Sequence, residues 1–322
     1  MIEDILLPYI SGRFREEPHY RLGHIRIVNP LPGTAILGLH IPDMKKIAKE
    51  LSARDDRMEI LHGLETASIE GSSKGGISRL AQMRKPQCTV VHEDFRIKRN
   101  AESTLLSRPP ALYYEETIIW GLMLDNMKIP LDERLGLFGK FIPNIDNWAV
   151  CDTVCCAAKW AGHKGTDKNR LWDFLGNLRD SDREFEVRFA TIMTMCYFLE
   201  PEWLPGVFKE TDRIDFGRIR SKYIPLAEKK SLQSNRYAKA AEPKTVPCGY
   251  GYCLSGSKTG TVPGQSPYYV RMGVAWMLAT ALAKFPEQTR EYVRTCNLPD
   301  DVVRLYVRKA KESFRTRDTA PL

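Results

Sequence analysis

The sequence predicts an all-α fold arranged as a helical-repeat solenoid with two irregular inserts. Most of the 322 residues fall into segments that carry apolar side chains at helical spacing. Short polar turns join these segments, and successive pairs recur at roughly 35–45 residues from position 113 onward. A rhythm of this length is typical of stacked, HEAT-like helix pairs, in which each pair buries its apolar face against its neighbours.

The predicted helices follow one another through most of the chain. The first has Pro42 near its start, where a missing N–H costs nothing, and the fourth follows Asp146 and Asn147, which are good N-cap residues. In chain order the predicted helices span 41–51, 113–127, 131–142, 147–162, 169–180, 184–200, 268–285, 287–297 and 299–315.

Two segments, 53–111 and 214–266, interrupt this pattern. Both are rich in Ser, Gly, Pro and charge and show little periodicity, so they are predicted to be irregular inserts in a single domain spanning 1–322. The first holds 10 basic and 8 acidic residues, and the second holds 9 basic and 3 acidic residues. The chain's net charge of +8 therefore resides in the inserts. A basic chain of this kind weakly favours a polyanionic partner.

Composition excludes several classes of protein. No run of 18 uncharged apolar residues occurs, which argues against a membrane-spanning helix. The N-terminus lacks the basic and apolar regions of a secretory signal, so we expect a cytoplasmic protein, associated with the nucleoid if bacterial. The eight cysteines form no C-x-x-C pair, and the six histidines show no ligand spacing. We therefore expect reduced thiols, no metal and no cofactor.

The segment IDNWAVCDTVCCAAKWA places a carboxylate in an apolar helix. If the helix starts after Asn147, Trp148 and Asp152 lie one turn apart on one face. A carboxylate among Val and Cys side chains is costly unless it has a partner or a chemical role. One interpretation is a structural ion pair with an arginine such as Arg188, and the other is a catalytic carboxylate.

A second unusual segment is YYVRMGVAWML, which carries Trp276 in the middle of a helix. The small residues Gly273 and Ala275 beside it would leave one face of the indole open. An ordinary core tryptophan is the alternative, and it is the commoner role for this residue type.

Several segments together resemble the AlkD-like DNA alkylation repair glycosylases, a family of HEAT-like helical proteins. The combination of the motifs DNWAVCD, FEVRF and YYVRMGVAW is specific, and the matching segments occur in the family's order. Those segments are 36–51, 113–155, 184–205 and 268–289, which cover most of the chain outside the inserts.

The resemblance implies a set of site residues. In that family a Trp and an Asp one helical turn apart line a cleft with a second Trp from a later helix. These correspond to Trp148, Asp152 and Trp276, which the resemblance makes the catalytic set. An arginine that contacts the DNA backbone corresponds to Arg188. The family's best-described member has paired arginines there, whereas this chain has Val187-Arg188-Phe189.

The function implied by the resemblance is hydrolysis of the N-glycosidic bond of a cationic alkylated purine, such as 3-methyladenine or 7-methylguanine. The expected partner is double-stranded DNA with alkylated bases, bound by a monomer. Arg188, Arg271 and Lys159 would hold phosphates, since basic side chains set the register on a duplex. Two alternatives stay open: a non-catalytic scaffold that binds DNA or protein, and a glycosylase that removes a bulky or crosslinked adduct.

Overall fold

The computed structural model describes residues 2–31, 34–73, 112–221, 245–248, 251–254 and 267–322. Within this part of the chain the protein is mostly helical, and one short hairpin is the only sheet. Antiparallel strands β1 (Thr245–Cys248) and β2 (Gly251–Leu254) form the hairpin. The described helices are α1 (Glu3–Leu6), α2 (Gly12–Glu16), α3 (Pro18–Val28), α4 (Ile41–Ser52), α5 (Arg57–Ser73), α6 (Tyr114–Asn126), α7 (Leu131–Phe141), α8 (Trp148–Ala157), α9 (Lys168–Arg179), α10 (Glu184–Tyr197), α11 (Leu204–Asp212), α12 (Tyr268–Lys284), α13 (Pro286–Thr295) and α14 (Asp300–Glu312). The all-α prediction is confirmed.

Six of the described helices, taken alternately along the chain, pack side by side and form one row. The order is α4, α6, α8, α10, α12, α14, and each member contacts its neighbour extensively. Asp152 of α8 meets Arg188 of α10, and Cys156 meets Cys196, so these two helices run in the same direction. A row of helices that pack one after another at regular intervals along the chain is consistent with a helical-repeat arrangement. The solenoid itself stays a prediction.

The helices between the row members form an outer layer with one exposed face. In α9, for example, the buried residues are Leu171, Leu175 and Arg179, which recur every fourth position. In the row helix α6, by contrast, every residue from 114 to 124 is buried. A helix that is apolar on all sides needs neighbours on all sides, whereas an amphipathic helix needs only one. The pattern of polarity therefore agrees with the interior position of α6 and with the outer position of α9.

The structure corrects the predicted inserts. Helix α5 begins at Arg57, inside the segment predicted to be irregular, because Leu61 and Leu64 bury one face of an otherwise charged sequence. Residues 214–221 lie on the protein surface as a packed segment whose Ile214, Phe216 and Ile219 join the core formed with α12 and α14. The hairpin is also regular structure. The other predicted irregular stretches, 74–111, 222–244, 249–250 and 255–266, lie outside the described residues.

Sequence also misplaced some helix ends and missed some short helices. Helix α8 ends at Ala157 rather than at 162, and a 3-10 turn follows at Lys159–Gly162. At this end the Cys155 carbonyl accepts the backbone N–H of Ala158 at 3.4 Å and the Tyr197 hydroxyl at 3.0 Å. The short helices α1 to α3 and α11 were not predicted.

The N-terminal segment and the hairpin form a layer against the row. The backbones of Ile36 and Tyr252 exchange two hydrogen bonds of 2.9 and 2.8 Å, which attaches residues 34–40 to β2. Gly251 makes this approach possible, since a Cβ there would lie 2.4 Å from the Ile36 carbonyl oxygen. The Arg21 guanidinium of α3 stacks on the Tyr252 ring at 3.8 Å. Among the described helices, none is long and apolar enough to cross a membrane.

Candidate functional site

The start of α8 fixes the position of Trp148. The Asn147 side-chain oxygen accepts hydrogen bonds from the N–H groups of Ala149 and Val150, at 3.0 and 3.1 Å. Asn147 is therefore the N-cap that the sequence predicted, and it is fully buried. The helix begins at Trp148, which places Trp148 and Asp152 one turn apart on the same face, as expected.

The Asp152 carboxylate forms a two-pronged ion pair with Arg188. The Arg188 Nε atom donates to one carboxylate oxygen at 3.0 Å and Nη2 donates to the other at 2.8 Å. The third guanidinium nitrogen, Nη1, donates to the backbone carbonyl of Tyr269 on α12. One arginine thus ties α8, α10 and α12 together. The structural ion pair that the sequence left open as an interpretation of Asp152 is present.

Burial distinguishes the two members of this pair. The Arg188 side chain is 4% exposed, whereas the Asp152 side chain is 13% exposed. Burial alone lowers the pKa of Arg188, but the neighbouring Asp152 charge outweighs it and the pKa is raised. Because its three nitrogens point into the protein, the Arg188 guanidinium differs from the predicted contact with the DNA backbone. It lies behind Asp152 and orients that carboxylate.

Trp276 lies one turn beyond the point where α12 meets Arg188. The Glu184 carboxylate of α10 accepts the backbone N–H of Tyr269 at 2.8 Å, which fixes the start of α12. Four residues later Gly273 faces Arg188, and a Cβ there would lie 3.3 Å from Nη1. Trp276 follows on the next turn and is only partly buried, as is Trp148. Trp148 therefore lies on the helix that carries Asp152, and Trp276 lies on the helix whose Tyr269 carbonyl accepts the Arg188 hydrogen bond.

The N-terminal segment contacts the row helices α8 and α12, and these contacts were not predicted from the sequence. The Trp148 indole N–H donates to the carbonyl of Ile27 at the end of α3, at 3.2 Å. Asn29, in a left-handed conformation with φ of 49°, donates its amide to the Tyr269 hydroxyl at 2.6 Å. The pair Asn29-Pro30 after an apolar stretch is a helix-end signal that could have located the end of α3. Nothing in the sequence indicates its contacts with α8 and α12.

The buried carboxylate of Glu115 holds the next part of the N-terminal segment, residues 37–39. Glu115 of α6 is completely buried and accepts three backbone N–H groups, from Leu37 at 3.0 Å, Gly38 at 2.7 Å and Leu39 at 3.3 Å. Burial raises the pKa of Glu115 to about 7, although the three hydrogen bonds act in the opposite direction. Glu115 was not predicted as a site residue, because an acidic residue in a first helical turn usually lies at the surface.

The remaining predicted basic residues lie apart from the ion pair. Lys159 is exposed in the 3-10 turn after α8. Arg271 of α12 pairs with Asp301 of α14, and it borders a groove of about 380 Å³. Arg304 and Arg308, one turn apart on α14, also line the groove. The other lining residues are Tyr268 and Leu305. The i, i+4 spacing of the two α14 arginines is the signal in the sequence that could have revealed this basic face.

Comparisons with family models, with curated proteins and with solved structures found no match to this chain.

Proposed function

We propose that the protein is a DNA glycosylase that hydrolyses the N-glycosidic bond of cationic alkylated purines. One observation carries the proposal: Asp152 is held in a fixed orientation by a buried arginine, with an edge still exposed, one helical turn from a half-buried tryptophan. The resemblance of the motifs around Asp152, Arg188 and Trp276 to the AlkD-like family supports the same function.

The chemistry needs a carboxylate more than a strong acid. Alkylation puts a positive charge on the base, so the base leaves as a neutral molecule without prior protonation. The charge that develops in the transition state lies on the deoxyribose, and a nearby carboxylate stabilises it. A carboxylate has about four lone-pair positions, and Arg188 uses two of those on Asp152. The others can face the sugar or orient the attacking water.

Trp148 and Trp276 supply aromatic surface for the cationic nucleotide. An indole face attracts a cation by about 0.5–2 kcal/mol, depending on how far both are desolvated. The hydrogen bond from the Trp148 indole to Ile27 fixes the plane of that ring. Preorganised rings lose little conformational entropy when they bind a ligand.

Backbone phosphates would be bound by surface arginines and lysines rather than by Arg188. The groove between α12 and α14 presents Arg271, Arg304 and Arg308 with Asp301 as its one carboxylate. Lys159 lies exposed two residues after α8. These side chains are suited to sequence-independent phosphate contacts, which position a protein on DNA without reading bases.

The second candidate is a scaffold that binds DNA without chemistry, and a specific observation favours it. The ion pair accounts for Asp152 without any catalytic role, because a buried carboxylate with a guanidinium partner is already satisfied. The half-exposed tryptophans would then contact DNA or a protein partner.

One experiment separates these candidates. Purified protein in excess is incubated with duplexes that carry 7-methylguanine, a neutral lesion such as 8-oxoguanine, or a bulky adduct, and free base is measured over time. An unmodified duplex serves as the binding control. Release of 7-methylguanine in preference to the neutral base supports the proposal. Binding of every duplex without release of any base supports the scaffold, and release from the bulky adduct alone contradicts the proposed substrate class.

A further inference from the structure

Two thiols face each other across α8 and α10. Cys156 follows Asp152 by one turn on α8, and Cys196 follows Arg188 by two turns on α10. Their sulfur atoms lie 3.8 Å apart, within hydrogen-bond range for sulfur. Cys156 is exposed and Cys196 is partly buried, so reagents in solution can reach the pair. In the described hydrogen bonds the Asp152 carboxylate is held by Arg188 and by neither sulfur, so the pair can be tested apart from the base-release chemistry proposed above.

The surroundings make the two thiols chemically unequal. A hydrogen bond with Cys196 lowers the pKa of Cys156, and the charges of Lys45 and Arg188 act in the same direction. Partial burial and the nearby Asp152 charge oppose this effect. The same hydrogen bond and burial raise the pKa of Cys196. Cys156 is therefore the thiol of the pair that ionises more readily, and its thiolate can accept the Cys196 S–H.

The neighbouring cysteines show the contrast. Cys151 and Cys155 lie on the same helix but are completely buried. Burial raises the pKa of Cys155, which keeps it protonated. Thiolate character and exposure together decide which cysteines react with oxidants. Of the cysteines whose side chains the structure describes, Cys156 combines both features with a second thiol in contact.

We propose that Cys156 and Cys196 form an oxidisable dithiol that closes a disulfide between α8 and α10. A disulfide needs a sulfur–sulfur distance of about 2.05 Å, so the two sulfurs must approach by somewhat less than 2 Å. Because the bond would join adjacent helices of the row, it would fix them together next to the Asp152–Arg188 pair.

Hydrogen peroxide serves as the oxidant, and the reaction balances in two steps. The Cys156 thiolate attacks one peroxide oxygen, the O–O bond breaks, and hydroxide leaves, which gives a sulfenic acid on Cys156. The Cys196 sulfur then attacks the Cys156 sulfur, and the S–O bond breaks. The departing hydroxide takes the Cys196 proton and becomes water. The two thiols lose two electrons in total, and peroxide gains them.

The test uses the full-length protein and peptide mass spectrometry. The protein is reduced, freed of reductant, treated with hydrogen peroxide, blocked with iodoacetamide and digested without reduction. The expected product is a peptide pair joined through Cys156 and Cys196, absent after treatment with dithiothreitol. Cys156→Ser and Cys196→Ser should each abolish the linked pair, whereas the partly buried Cys296→Ser control should retain it.

A second measurement does not depend on any variant. In the reduced wild-type protein at pH 7, iodoacetamide should modify the exposed Cys156 severalfold faster than the partly buried Cys296, because exposure and the lowered pKa of Cys156 both increase its reactivity. Equal rates at the two positions would overturn the proposal. So would a peroxide-treated wild-type protein in which Cys156 is linked to any other cysteine, or in which it accumulates as sulfinic acid beside an unmodified Cys196.

Discussion

Two carboxylates of the row, the partly buried Asp152 and the fully buried Glu115, are stabilised in different ways. Asp152 on α8 has a guanidinium partner at 2.8–3.0 Å, whereas Glu115 on α6 has three backbone N–H groups. The full charge beside Asp152 balances it, but the amide dipoles beside Glu115 do not fully offset burial, and the pKa of Glu115 rises to about 7. The difference separates a carboxylate that is paired with a buried arginine of the next row helix from one that holds a chain segment in place.

The largest effect should come from removing the partner of Asp152. Arg188→Ala leaves a carboxylate in a mostly buried position without a counter-charge, and such a change typically costs about 3–5 kcal/mol. Arg271→Ala breaks a more exposed pair with Asp301 and should cost about 1 kcal/mol or less. Urea unfolding of both variants measures the difference.

A double variant sharpens the same comparison. Replacing Arg188 by Met and Asp152 by Leu removes both charges, so much of the lost stability should return. Equal costs for the single Arg188 and Arg271 variants, or no recovery in the double variant, would mean that Arg188 does not serve to balance Asp152.

Glu115 should make stability depend on pH in the opposite sense from an ion-paired carboxylate. Its pKa is about 7 in the folded protein, against 4.5 for an ordinary glutamate. The folded state therefore holds the proton more tightly, and stability falls as pH rises from about 4.5 to about 7. The full change is up to about 3 kcal/mol at 1.36 kcal/mol per pKa unit.

The measurement is the free energy of unfolding at pH 5 and pH 7.5 for wild type and Glu115→Gln. The variant is expected to be less stable at pH 5 but to lose less stability across this interval. A residual slope is expected because burial also raises the pKa of Glu184. Parallel pH profiles for the two proteins would show that Glu115 stays ionised throughout.

A smaller effect is expected at the glycine that faces Arg188. A Cβ at position 273 would lie 3.3 Å from Nη1 of Arg188, and valine adds two further methyl groups. Gly273→Val should therefore cost about 1–3 kcal/mol of stability through overpacking. Gly136 on α7 is exposed and has nothing within 4 Å of a Cβ, which makes Gly136→Val the matched control. Chemical unfolding is again the measurement, and the control should be neutral or slightly stabilising. Equal tolerance at both sites would show that α12 can move away from Arg188.

Local patterns account for what the sequence predicted. Apolar spacing located the row from α6 to α14, and the N-cap Asn147 located the start of α8 within one residue. The arginine named as a structural partner for Asp152 is its partner in the structure. Short-range spacing and capping are written in a few adjacent residues, so a single sequence is enough to find them.

Contacts between distant parts of the chain were not predictable in this way. The bond from Trp148 to Ile27 spans 121 residues, and the one from Asn29 to Tyr269 spans 240. Helix α5 was missed because charged residues hide its narrow buried face, and Glu115 was missed because its partners are backbone groups of another segment. The contacts between distant segments leave no periodic signal in the sequence.

The most direct test of the account is the single-turnover rate of base release by Asp152→Asn. Asp132→Asn is the control, because Asp132 is an exposed aspartate of α7 with its own arginine partner at 2.8 Å. Asp152→Glu, which keeps the charge but moves it by one methylene, is the second variant, and unfolding midpoints show that each protein is folded. The account predicts that Asp152→Asn retains less than about a tenth of the wild-type rate, which corresponds to a barrier raised by at least ~1.4 kcal/mol. The rate of the Asp132→Asn control and the binding of undamaged DNA should be unchanged. A folded Asp152→Asn that releases 7-methylguanine at the wild-type rate would contradict it.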